Sequence, residues 1–584
     1  MTHRKLERIT VAALSALALL LGALQTWYTR YRMFSDGISY LDIAARYARG
    51  NWADAVNGYW SPLYSWILAV AVLLLHPGPN WQAATLHVVN FLAYVAGLAA
   101  LWWFMQELLR RFPEVPRAVV LIGGYTSFLI AGLVLIGIGY CSPDLIAFCL
   151  FLSLSALILR LQSGPAPLRL YAAAGVLLGL NFLTRTAFAP LVLLYLAIIV
   201  VISRKRQKHW ARYAGTVALL LLTAVPFVTA LSVKQGRPSI GDSGKLNYGW
   251  EIAGASRSAH WQGEPGDLGR PLHPTTLVNK DPAVYVFDGP GTYSPWYDPS
   301  IWYAGLQPKF KFASQLTALS SNLSYTVILL AFSPLLIPSL LVVLISGQFG
   351  SWWGRFISLW PVVLPCLAGL ALYCLVFVDK RYIAGFAFVI WMAALASIPF
   401  ERLGSSRWAG AMEAFCILVL LVVIPLRFKE PARVAFNDLR HSSETEPNLN
   451  YLIAQRLQQL GLQPGDKIAY LGMGIDADWA RLDHARIVAE IPVRFVRSWN
   501  FRGSSVSADG SELERFWQSD PATRQRILQL FRQAGAKFAI TDGLFYPKDS
   551  TEWQPVLTPE QRKINFGAGQ YTSQLESRFL RLVP

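Results

Sequence analysis

Charged residues are scarce in this chain, and their scarcity excludes an ordinary soluble protein. Only 15% of the 584 residues are Asp, Glu, Lys or Arg, whereas 54% are hydrophobic. Typical soluble domains carry roughly 25% charged residues. Apolar runs long enough to cross about 30 Å of hydrocarbon recur from residue 9 to residue 426. The composition therefore indicates a polytopic membrane protein.

The chain also has few cysteines and lacks the usual glycine patterns of nucleotide sites. All five cysteines lie in or beside apolar segments, and no two are spaced as Cys-x-x-Cys. A disulfide framework or a structural zinc site is therefore not expected. The glycines of residues 241–245 follow neither the Walker pattern nor Gly-x-Gly-x-x-Gly, and the Gly-Met-Gly of residues 472–474 lacks the third glycine. Nucleotide binding has no support in the sequence.

The distribution of positive charge predicts how the chain crosses the membrane. The formal net charge is +17, which would suit a nucleic-acid partner, but the basic residues cluster in short loops between apolar segments. This clustering is typical of the cytoplasmic side of membrane proteins, so no nucleic acid is expected. The clusters are Arg110/Arg111/Arg117, Arg160/Arg169, Arg204/Lys205/Arg206/Lys208 and Arg402/Arg407.

The short apolar run Leu63–Leu75 decides the side on which these clusters fall. Its length is only about 20 Å as a helix, which is less than the hydrocarbon core. If it does not cross, every basic cluster lies on the side of the basic N-terminus. We therefore expect Leu63–Leu75 to be an interfacial or re-entrant helix on the outer face.

The resulting prediction is an α-helical polytopic protein of the cytoplasmic membrane with about eleven spans. The first apolar run is long and no clear cleavage site follows it, so we expect a retained signal anchor with a cytoplasmic N-terminus. Residues 1–430 form the membrane domain, with outer-face loops at 29–80 and 232–323, and residues 431–584 form an extracytoplasmic domain. The spans lie near 9–28, 81–104, 118–138, 145–160, 170–183, 187–203, 213–231, 324–346, 357–378, 383–399 and 410–426.

The C-terminal region alternates between helix and strand patterns. This alternation predicts a small soluble α/β domain. The predicted elements are a helix at Leu449–Leu460, strands at Lys467–Leu471 and Ile487–Val493, a helix at Pro521–Ala534 and a strand at Lys537–Thr541.

An acidic pair lies where the first span reaches the outer surface. Ser35 and Asp36 suit the start of an amphipathic helix that runs flat on the interface to about Arg49. Asp42 is expected to pair with Arg46 one turn later. Asp36 has no such local partner, so it is either a simple helix cap or a functional carboxylate, since ionisable groups at the membrane edge are costly.

Several basic residues lie on the outer face, against the charge bias of the other loops. Arg185, Lys380 and Arg381 are the main examples, and a phosphate-bearing ligand would explain them. Arg381 has a second explanation, in which it pairs with Asp379 or extends to the interface.

Taken in order along the chain, these features resemble the polytopic C-type (GT-C) glycosyltransferases, a group that includes protein O-mannosyltransferases and lipid A aminoarabinose transferases. The resemblance covers about residues 1–430. It rests on the Asp after the first span, the amphipathic outer helix and five short motifs. These are Pro62-Leu63-Tyr64-Ser65-Trp66, Arg110-Arg111-Phe112, Ser142-Pro143-Asp144, Leu183-Thr184-Arg185 and Lys380-Arg381-Tyr382.

The resemblance implies a polyprenyl-phosphate-linked sugar donor, no nucleotide sugar, an outer-facing active site and inversion at the anomeric carbon. Phosphate is already a fair leaving group, so the reaction needs a base for the acceptor hydroxyl and cations for the departing charge. Asp36 is the candidate base. Asp144 either assists the acceptor or caps its helix, and Arg185, Lys380 and Arg381, with Tyr382, are the candidates to hold the lipid phosphate.

The aromatic and loop residues complete the expected site. Tyr64 in the first outer loop, and Lys245 and Tyr248 in the long loop, either contact the sugar and acceptor or only pack the loops. Many relatives have two adjacent acidic residues where this chain has Asp36-Gly37, which leaves the sugar and a divalent metal open. The expected partners are membrane lipids and a lipid, glycan or protein acceptor.

A transporter or flippase of a lipid-linked saccharide is the alternative function. Transporters typically carry broken helices and polar residues near the middle of the membrane, often with internal repeats. This chain shows no repeat, and its ionisable residues gather at one face, which favours an enzyme. A structural subunit of an envelope complex would leave Asp36 unexplained. Convergence of Asp36, Asp144 and Arg381 on one cavity distinguishes the enzyme from the other classes.

Overall fold

The computed structural model describes most of the chain. The described residues are 3–164, 166–204, 210–257, 260–263, 268–273, 275–403, 406–441, 447–500, 503–543, 546–547, 552–564, 566 and 572–583. Of the basic clusters that set the predicted topology, Lys205, Arg206 and Lys208 lie outside these ranges, and the orientation of the chain stays a prediction.

Long apolar stretches form helices because a backbone in hydrocarbon must satisfy its own hydrogen bonds. The helices up to residue 440 are α1 (His3–Tyr28), α2 (Ser35–Ala48), α3 (Trp52–Ala55), α4 (Pro62–Leu75), α5 (Gln82–Arg111), α6 (Arg117–Leu129), α7 (Asp144–Ser163), α8 (Leu168–Thr184), α9 (Ala189–Arg204), α10 (Trp210–Gln235), α11 (Ser243–Tyr248), α12 (Ser294–Tyr297), α13 (Pro299–Trp302), α14 (Phe312–Ala331), α15 (Leu336–Ile345), α16 (Phe349–Ser358), α17 (Trp360–Cys374), α18 (Lys380–Ala396) and α19 (Arg407–Arg440). Wider π turns continue α6 at Ile130–Ile136 and α11 at Gly249–Ala253.

Eight helices of the described chain are long and apolar enough to cross a membrane, and two bent pairs bring the number to ten. α8, with 17 residues, is slightly shorter. The predicted continuous spans 324–346 and 357–378 are instead broken. α14 and α15 meet at 70°, and α16 and α17 meet at 84°.

The breaks have local causes. Pro334 lies between α14 and α15 and cannot donate a backbone hydrogen bond. The Ser333 hydroxyl accepts the free N–H groups of Leu335 and Leu336 and so starts a new helix. Pro361 occupies the first turn of α17, a position that proline favours.

The first outer loop folds into short helices rather than a span. α4 has 14 residues, and its buried side packs on α2 while Leu73, Leu74 and Leu75 stay exposed. α2 begins at Ser35, close to the predicted start.

The expected pair of Asp42 with Arg46 does not form. Asp42 instead forms an ion pair with Arg481, whose Nε lies 3.0 Å from Oδ1, and its Oδ2 accepts a hydrogen bond from the Thr292 amide at 2.7 Å. Arg46 binds Asp54 at 2.8 Å. Asp42 pairs with Arg481 and Thr292 rather than with Arg46 because it faces these distant segments, which bury it more deeply than the surface of its own helix does.

The sheet domain consists of the region after residue 447 together with one hairpin of the long loop. Its strands are β1 (Thr276–Lys280), β2 (Ala283–Val286), β3 (Lys467–Gly472), β4 (Arg486–Pro492), β5 (Arg494–Asn500), β6 (Gly503–Asp509), β7 (Phe538–Thr541), β8 (Gln554–Pro555) and β9 (Arg578–Arg581). Its helices are α20 (Leu449–Gln459), α21 (Asp478–Leu482), α22 (Ser511–Gln518), α23 (Pro521–Gln533) and α24 (Pro559–Arg562). All five elements predicted for this region are present, within two residues at each end.

The main sheet has the strand order β1-β2-β4-β3-β7-β9-β8, and β5 and β6 form a separate hairpin. β4, β3 and β7 are parallel, as expected where helices connect the strands. β2 joins the edge of β4 antiparallel, with Tyr285 opposite Glu490. The long loop is therefore part of the C-terminal sheet.

One hydrophobic core connects the outer helices with the sheet domain. It contains Tyr40 of α2, Tyr64 of α4, and Tyr470 and Trp479 of the sheet domain, all buried. A second core fills the helical bundle. Because the outer helices share a core with the sheet domain, the start of α2 is held rigidly between the two parts of the molecule.

The crossing of α8 and α10 gives a stability prediction. A Cβ at Gly175 would overlap the Thr216 carbonyl oxygen and lie 3.1 Å from Leu219 Cβ. We expect Gly175→Ala to lower the thermal midpoint of the purified protein, at a cost of about 1–3 kcal/mol for overpacking.

Gly410→Ala in α19 is the matched control. A Cβ at Gly410 meets nothing within 4 Å. Since alanine favours a helix over glycine by roughly 0.5–1 kcal/mol, the midpoint of this variant should equal or exceed that of the wild type. Equal midpoints for the two variants would contradict the close crossing.

Candidate active site

A cavity of about 240 Å³ lies at the start of α2, where the long loop covers the ends of α8, α17 and α18. Its wall combines carboxylates, guanidinium groups and aromatic rings. Seven of the residues that line the cavity are Asp36, Tyr59, Arg185, Arg257, Trp296, Arg381 and Tyr382. The composition of the wall suits a ligand with both a charged part and an apolar part.

Asp36 is held in the wall by the long loop. Its Oδ1 accepts a hydrogen bond from Trp296 Nε1 at 3.2 Å. The Trp296 carbonyl in turn accepts from Ser39 Oγ at 2.9 Å and from Trp60 Nε1 at 3.0 Å. The loop and α2 therefore fix each other, and Oδ2 of Asp36 accepts no hydrogen bond from a described residue.

Two arginines of the wall share one buried carboxylate behind the cavity. Asp144, whose side chain is 2% exposed, binds Arg185 through Oδ1 and lies 3.6 Å from Arg381 Nη1 through Oδ2. Ser142 Oγ donates to the same Oδ2 at 2.7 Å. Arg381 also binds Asp379 at 3.3 Å, so the pair that the sequence offered as an alternative does form.

Aromatic rings support the two guanidinium groups. The guanidinium carbon of Arg185 lies 4.3 Å from the centre of the Tyr382 ring, and that of Arg381 lies 4.6 Å from the Tyr140 ring. The buried Arg185 Nε has no hydrogen-bond partner among the described residues. Stacking fixes the planes of both groups while leaving donors for a ligand.

The structure brings together four of the residues that the sequence proposed. Asp36, Arg185, Arg381 and Tyr382 line the cavity. Asp144 lies directly behind the arginines, so it positions them rather than facing the cavity itself.

Four other proposed residues lie outside the cavity wall. Lys380 points its amine at the Val134 carbonyl, 3.4 Å away, because the next residue of α18 takes the position facing the cavity. Tyr64 is fully buried, and its hydroxyl donates to Asn90 Oδ1 at 2.9 Å, so it supports α2 from below.

Lys245 and Tyr248 of α11 are not among the residues that line the cavity. Ser243, Asn247 and Glu251 line the cavity, at intervals of four residues. Residues so spaced share one helix face, which excludes Lys245 and Tyr248 from it. The sequence located the segment but not its rotation.

Several wall residues were missed by the sequence analysis. Tyr59 lies on the cavity and hydrogen-bonds Asn247, and burial raises its pKa well above the ordinary value. Arg257 Nη1 lies 3.5 Å from Glu251 Oε1, and its guanidinium carbon lies 5.8 Å from the Trp296 ring centre. Tyr59 and Trp296 belong to aromatic segments visible in the sequence, whereas nothing in the sequence marks Arg257.

A carboxylate from the sheet domain caps α2. Phe34, the residue before the helix, offers no side-chain cap. The carboxyl group of Asp476 instead lies near the amide and hydroxyl groups of Ser35, which favour its ionised form. Burial, and then the neighbouring Asp36, raise the pKa of Asp476 to about 6. The sheet domain therefore reaches the helix that carries Asp36.

Within the described residues, no group of three or more His, Cys, Asp or Glu side chains is arranged to hold a metal ion. The carboxylates at the cavity are engaged with arginines or with backbone and indole donors. This set of described donors does not fit a divalent metal.

The fold is shared with a solved membrane protein. No protein-family model and no curated protein matches the sequence. ArnT from Cupriavidus metallidurans in the apo state aligns with a TM-score of 0.53 at 14% identity, over 98% of each chain. The same protein bound to undecaprenyl phosphate aligns over the same share of each chain, with a TM-score of 0.49. The Archaeoglobus fulgidus oligosaccharyltransferase complex with zinc and sulfate aligns over 91% of this chain and 68% of that chain, with a TM-score of 0.43 at 12% identity. The similarity to apo ArnT confirms the predicted GT-C fold.

The Asp476 cap gives a prediction about pH. Folded Asp476 keeps its proton up to about pH 6, whereas the unfolded carboxyl loses it near roughly pH 4. The folded state therefore binds more protons in this window, and the free energy of unfolding decreases as pH rises through it. We expect the fall in thermal midpoint between these pH values to be smaller in Asp476→Asn than in the wild type.

Asp520→Asn, on the exposed cap of α23, is the control of opposite sign. Hydrogen bonds from Thr523 lower the pKa of Asp520, so replacing this residue should not make the fall in midpoint smaller. Identical pH profiles for the wild type and Asp476→Asn would show that the cap does not titrate as described.

Proposed function

We propose that the protein is a membrane glycosyltransferase that moves a sugar from a polyprenyl-phosphate donor to an acceptor at the outer face of the cytoplasmic membrane. The observation that carries this proposal is the meeting of Asp36 with Arg185 and Arg381 in one cavity of a GT-C fold. A base and two cations are the groups that transfer from a lipid phosphate requires.

The geometry supports one displacement step. The guanidinium groups of Arg185 and Arg381 bind the donor phosphate, and Asp36 accepts the proton of the acceptor hydroxyl. The acceptor oxygen forms a bond to the anomeric carbon as the bond from that carbon to the phosphate oxygen breaks. The electron pair leaves on the phosphate, which departs as polyprenyl phosphate. Attack opposite to the leaving group inverts the anomeric centre.

The rest of the wall suits the remaining parts of the substrates. Tyr59, Trp60 and Trp296 present ring faces, which pack well against sugars. Leu372, Val376 and Phe377 form an apolar side of the cavity at the end of α17. That side provides a place for the first isoprene units where the cavity meets the bilayer.

Transport of a lipid-linked saccharide is less well supported by the arrangement of charges. Asp36 and Arg381 line the same cavity, and Asp144 binds Arg381 directly behind it. Beyond Asp144, the bundle is filled by aromatic rings such as Phe151 and Phe386, whose centres lie 4.9 Å apart. Charges clustered above a packed bundle favour chemistry at one face.

The base assignment is tested with Asp36→Asn. We expect its turnover, with radiolabelled polyprenyl-phosphate sugars as donors and membrane extract as acceptor, to fall by about 10²–10⁴-fold, because the acceptor hydroxyl loses its base. Asp520→Asn, the same change on the exposed cap of α23, should keep wild-type turnover.

Two results would count against the proposal. Normal turnover of Asp36→Asn at wild-type expression would remove Asp36 from the mechanism. Absence of transfer from every donor, together with protein-dependent movement of lipid-linked sugar across liposomes, would assign transport instead.

The phosphate assignment is tested with Arg381→Lys and Lys380→Gln. Lysine keeps the charge of Arg381 but loses the planar pair of donors, so we expect binding of polyprenyl phosphate to weaken about tenfold or more. Lys380 points away from the cavity, so Lys380→Gln should bind as the wild type does. The reverse ranking, measured by calorimetry, would favour the original assignment of Lys380 to the phosphate.

A further inference from the structure

A second and larger cavity, of about 540 Å³, lies at the other end of α2. We name it the α2 basic cavity. It is bounded by the last turns of α2, the end of α4 with the His76-Pro77 turn, and the segment from α21 to the start of β4. Four arginines line it, and the proposed transfer reaction uses none of them. They are Arg46, Arg49, Arg481 and Arg486.

Three of these arginines already have carboxylate partners. Arg46 binds Asp54 at 2.8 Å, Arg481 binds Asp42 at 3.0 Å, and Arg486 lies 3.3 Å from Asp288. Arg49 has no ion pair with any described residue and is exposed.

The surplus of positive charge acts on a histidine of the same wall. Burial first, and then the charges of Arg481 and Arg49, lower the pKa of His484, with Asp42 opposing them. Four arginines and three paired carboxylates leave a surplus of one positive charge, at Arg49, to attract an anion that enters the cavity.

The two histidines of the wall have an unusual backbone. His76 has φ of 45° and His484 has φ of 54°, and they are the two non-glycine residues with positive φ in the described chain. Both line the α2 basic cavity. Glycine would adopt this conformation without strain, so a histidine kept there points to a use for its ring.

One side of the cavity is apolar and continues into an exposed apolar surface. Leu41, Val72 and Leu73 form this side. Beyond it, Leu74 is 74% exposed and Leu75 is 56% exposed at the end of the interfacial helix α4. An occupant that is anionic at one end and apolar at the other would satisfy both sides, as amphiphiles do at a membrane interface.

We propose that the α2 basic cavity binds the phosphate-bearing headgroup of a membrane lipid. Its phosphate oxygens accept from Arg49 and from the neighbouring guanidinium groups, His76 and His484 add ring donors, and the acyl chains lie along Leu73–Leu75. Because the cavity is formed jointly by α2, α4 and the sheet domain, the bound lipid joins these parts. This site is separate from the active-site cavity and does not depend on the proposed transfer reaction.

The test is calorimetry on the purified full-length protein in neutral detergent, with dihexanoyl phosphatidic acid as the probe. We expect Arg49→Gln and His484→Gly each to weaken binding about tenfold, the loss of one charge-assisted hydrogen bond. His484→Gly should also raise the thermal midpoint, because glycine relieves the strained backbone. If His484 had only a structural role, His484→Gly would not weaken lipid binding while raising the thermal midpoint.

Controls separate this site from the candidate active site. Lys280→Gln removes an exposed charge from β1, away from the cavity, and should bind as the wild type does. Arg49→Gln should keep wild-type binding of polyprenyl phosphate, which Arg381→Lys loses. A protein that fails in sugar transfer but shows this pattern with phosphatidic acid would still support the lipid site.

The opposing outcomes are distinct. Wild-type binding of phosphatidic acid by both cavity variants, or no binding by the wild type, would overturn the site. Inorganic phosphate binding as tightly as the lipid would assign free phosphate as the ligand and overturn the role of the acyl chains. Dihexanoyl phosphatidylcholine binding as tightly as phosphatidic acid would overturn the requirement for an anionic headgroup.

Discussion

A single buried carboxylate, Asp144, organises the charged end of the helical bundle. It joins the start of α7 to Arg185 after α8 and to Arg381 in α18. Removing one partner of such a buried group leaves an uncompensated charge, at a cost of about 3–5 kcal/mol. The three helices must therefore meet at this point. The guanidinium groups that Asp144 positions form the floor of the cavity. The placement of the other cavity walls depends on the position of these two groups.

The remaining walls are supplied by elements that lie far apart in the sequence. α2 brings Asp36, the long loop brings Trp296 and Arg257, and the sheet domain brings the Asp476 cap. The shared hydrophobic core behind α2 holds these pieces in register. A carboxylate near two arginines would normally collapse onto them. Here the indole of Trp296 holds Asp36 in the wall through a hydrogen bond from Nε1 to Oδ1.

The sequence was sufficient for the architecture because hydropathy and strand patterns are local. The helices of the bundle and the elements of the sheet domain from Leu449 to Thr541 follow from such patterns. The sidedness of charge made Asp36, Arg185 and Arg381 candidates, and all three line one cavity. The rest depended on tertiary structure. The rotation of α11 about its axis leaves Lys245 outside the cavity wall. The pairing of Asp42 with Arg481 rather than with Arg46 requires two segments more than 400 residues apart to meet. Arg257 carries no local pattern at all.

The β1–β2 hairpin has a consequence for the order in which the protein is made. It leaves the ribosome long before β4, whose edge it needs, since Tyr285 pairs opposite Glu490. During that interval six further helices of the bundle, α14 to α19, are synthesised, and the hairpin presents an open strand edge that other chains could join. The long loop, and with it Trp296, reaches its final position only after the last quarter of the chain has emerged. Assembly of the candidate active-site cavity is therefore expected late in biosynthesis, because a chain that stops before β4 lacks the strand with which the hairpin pairs.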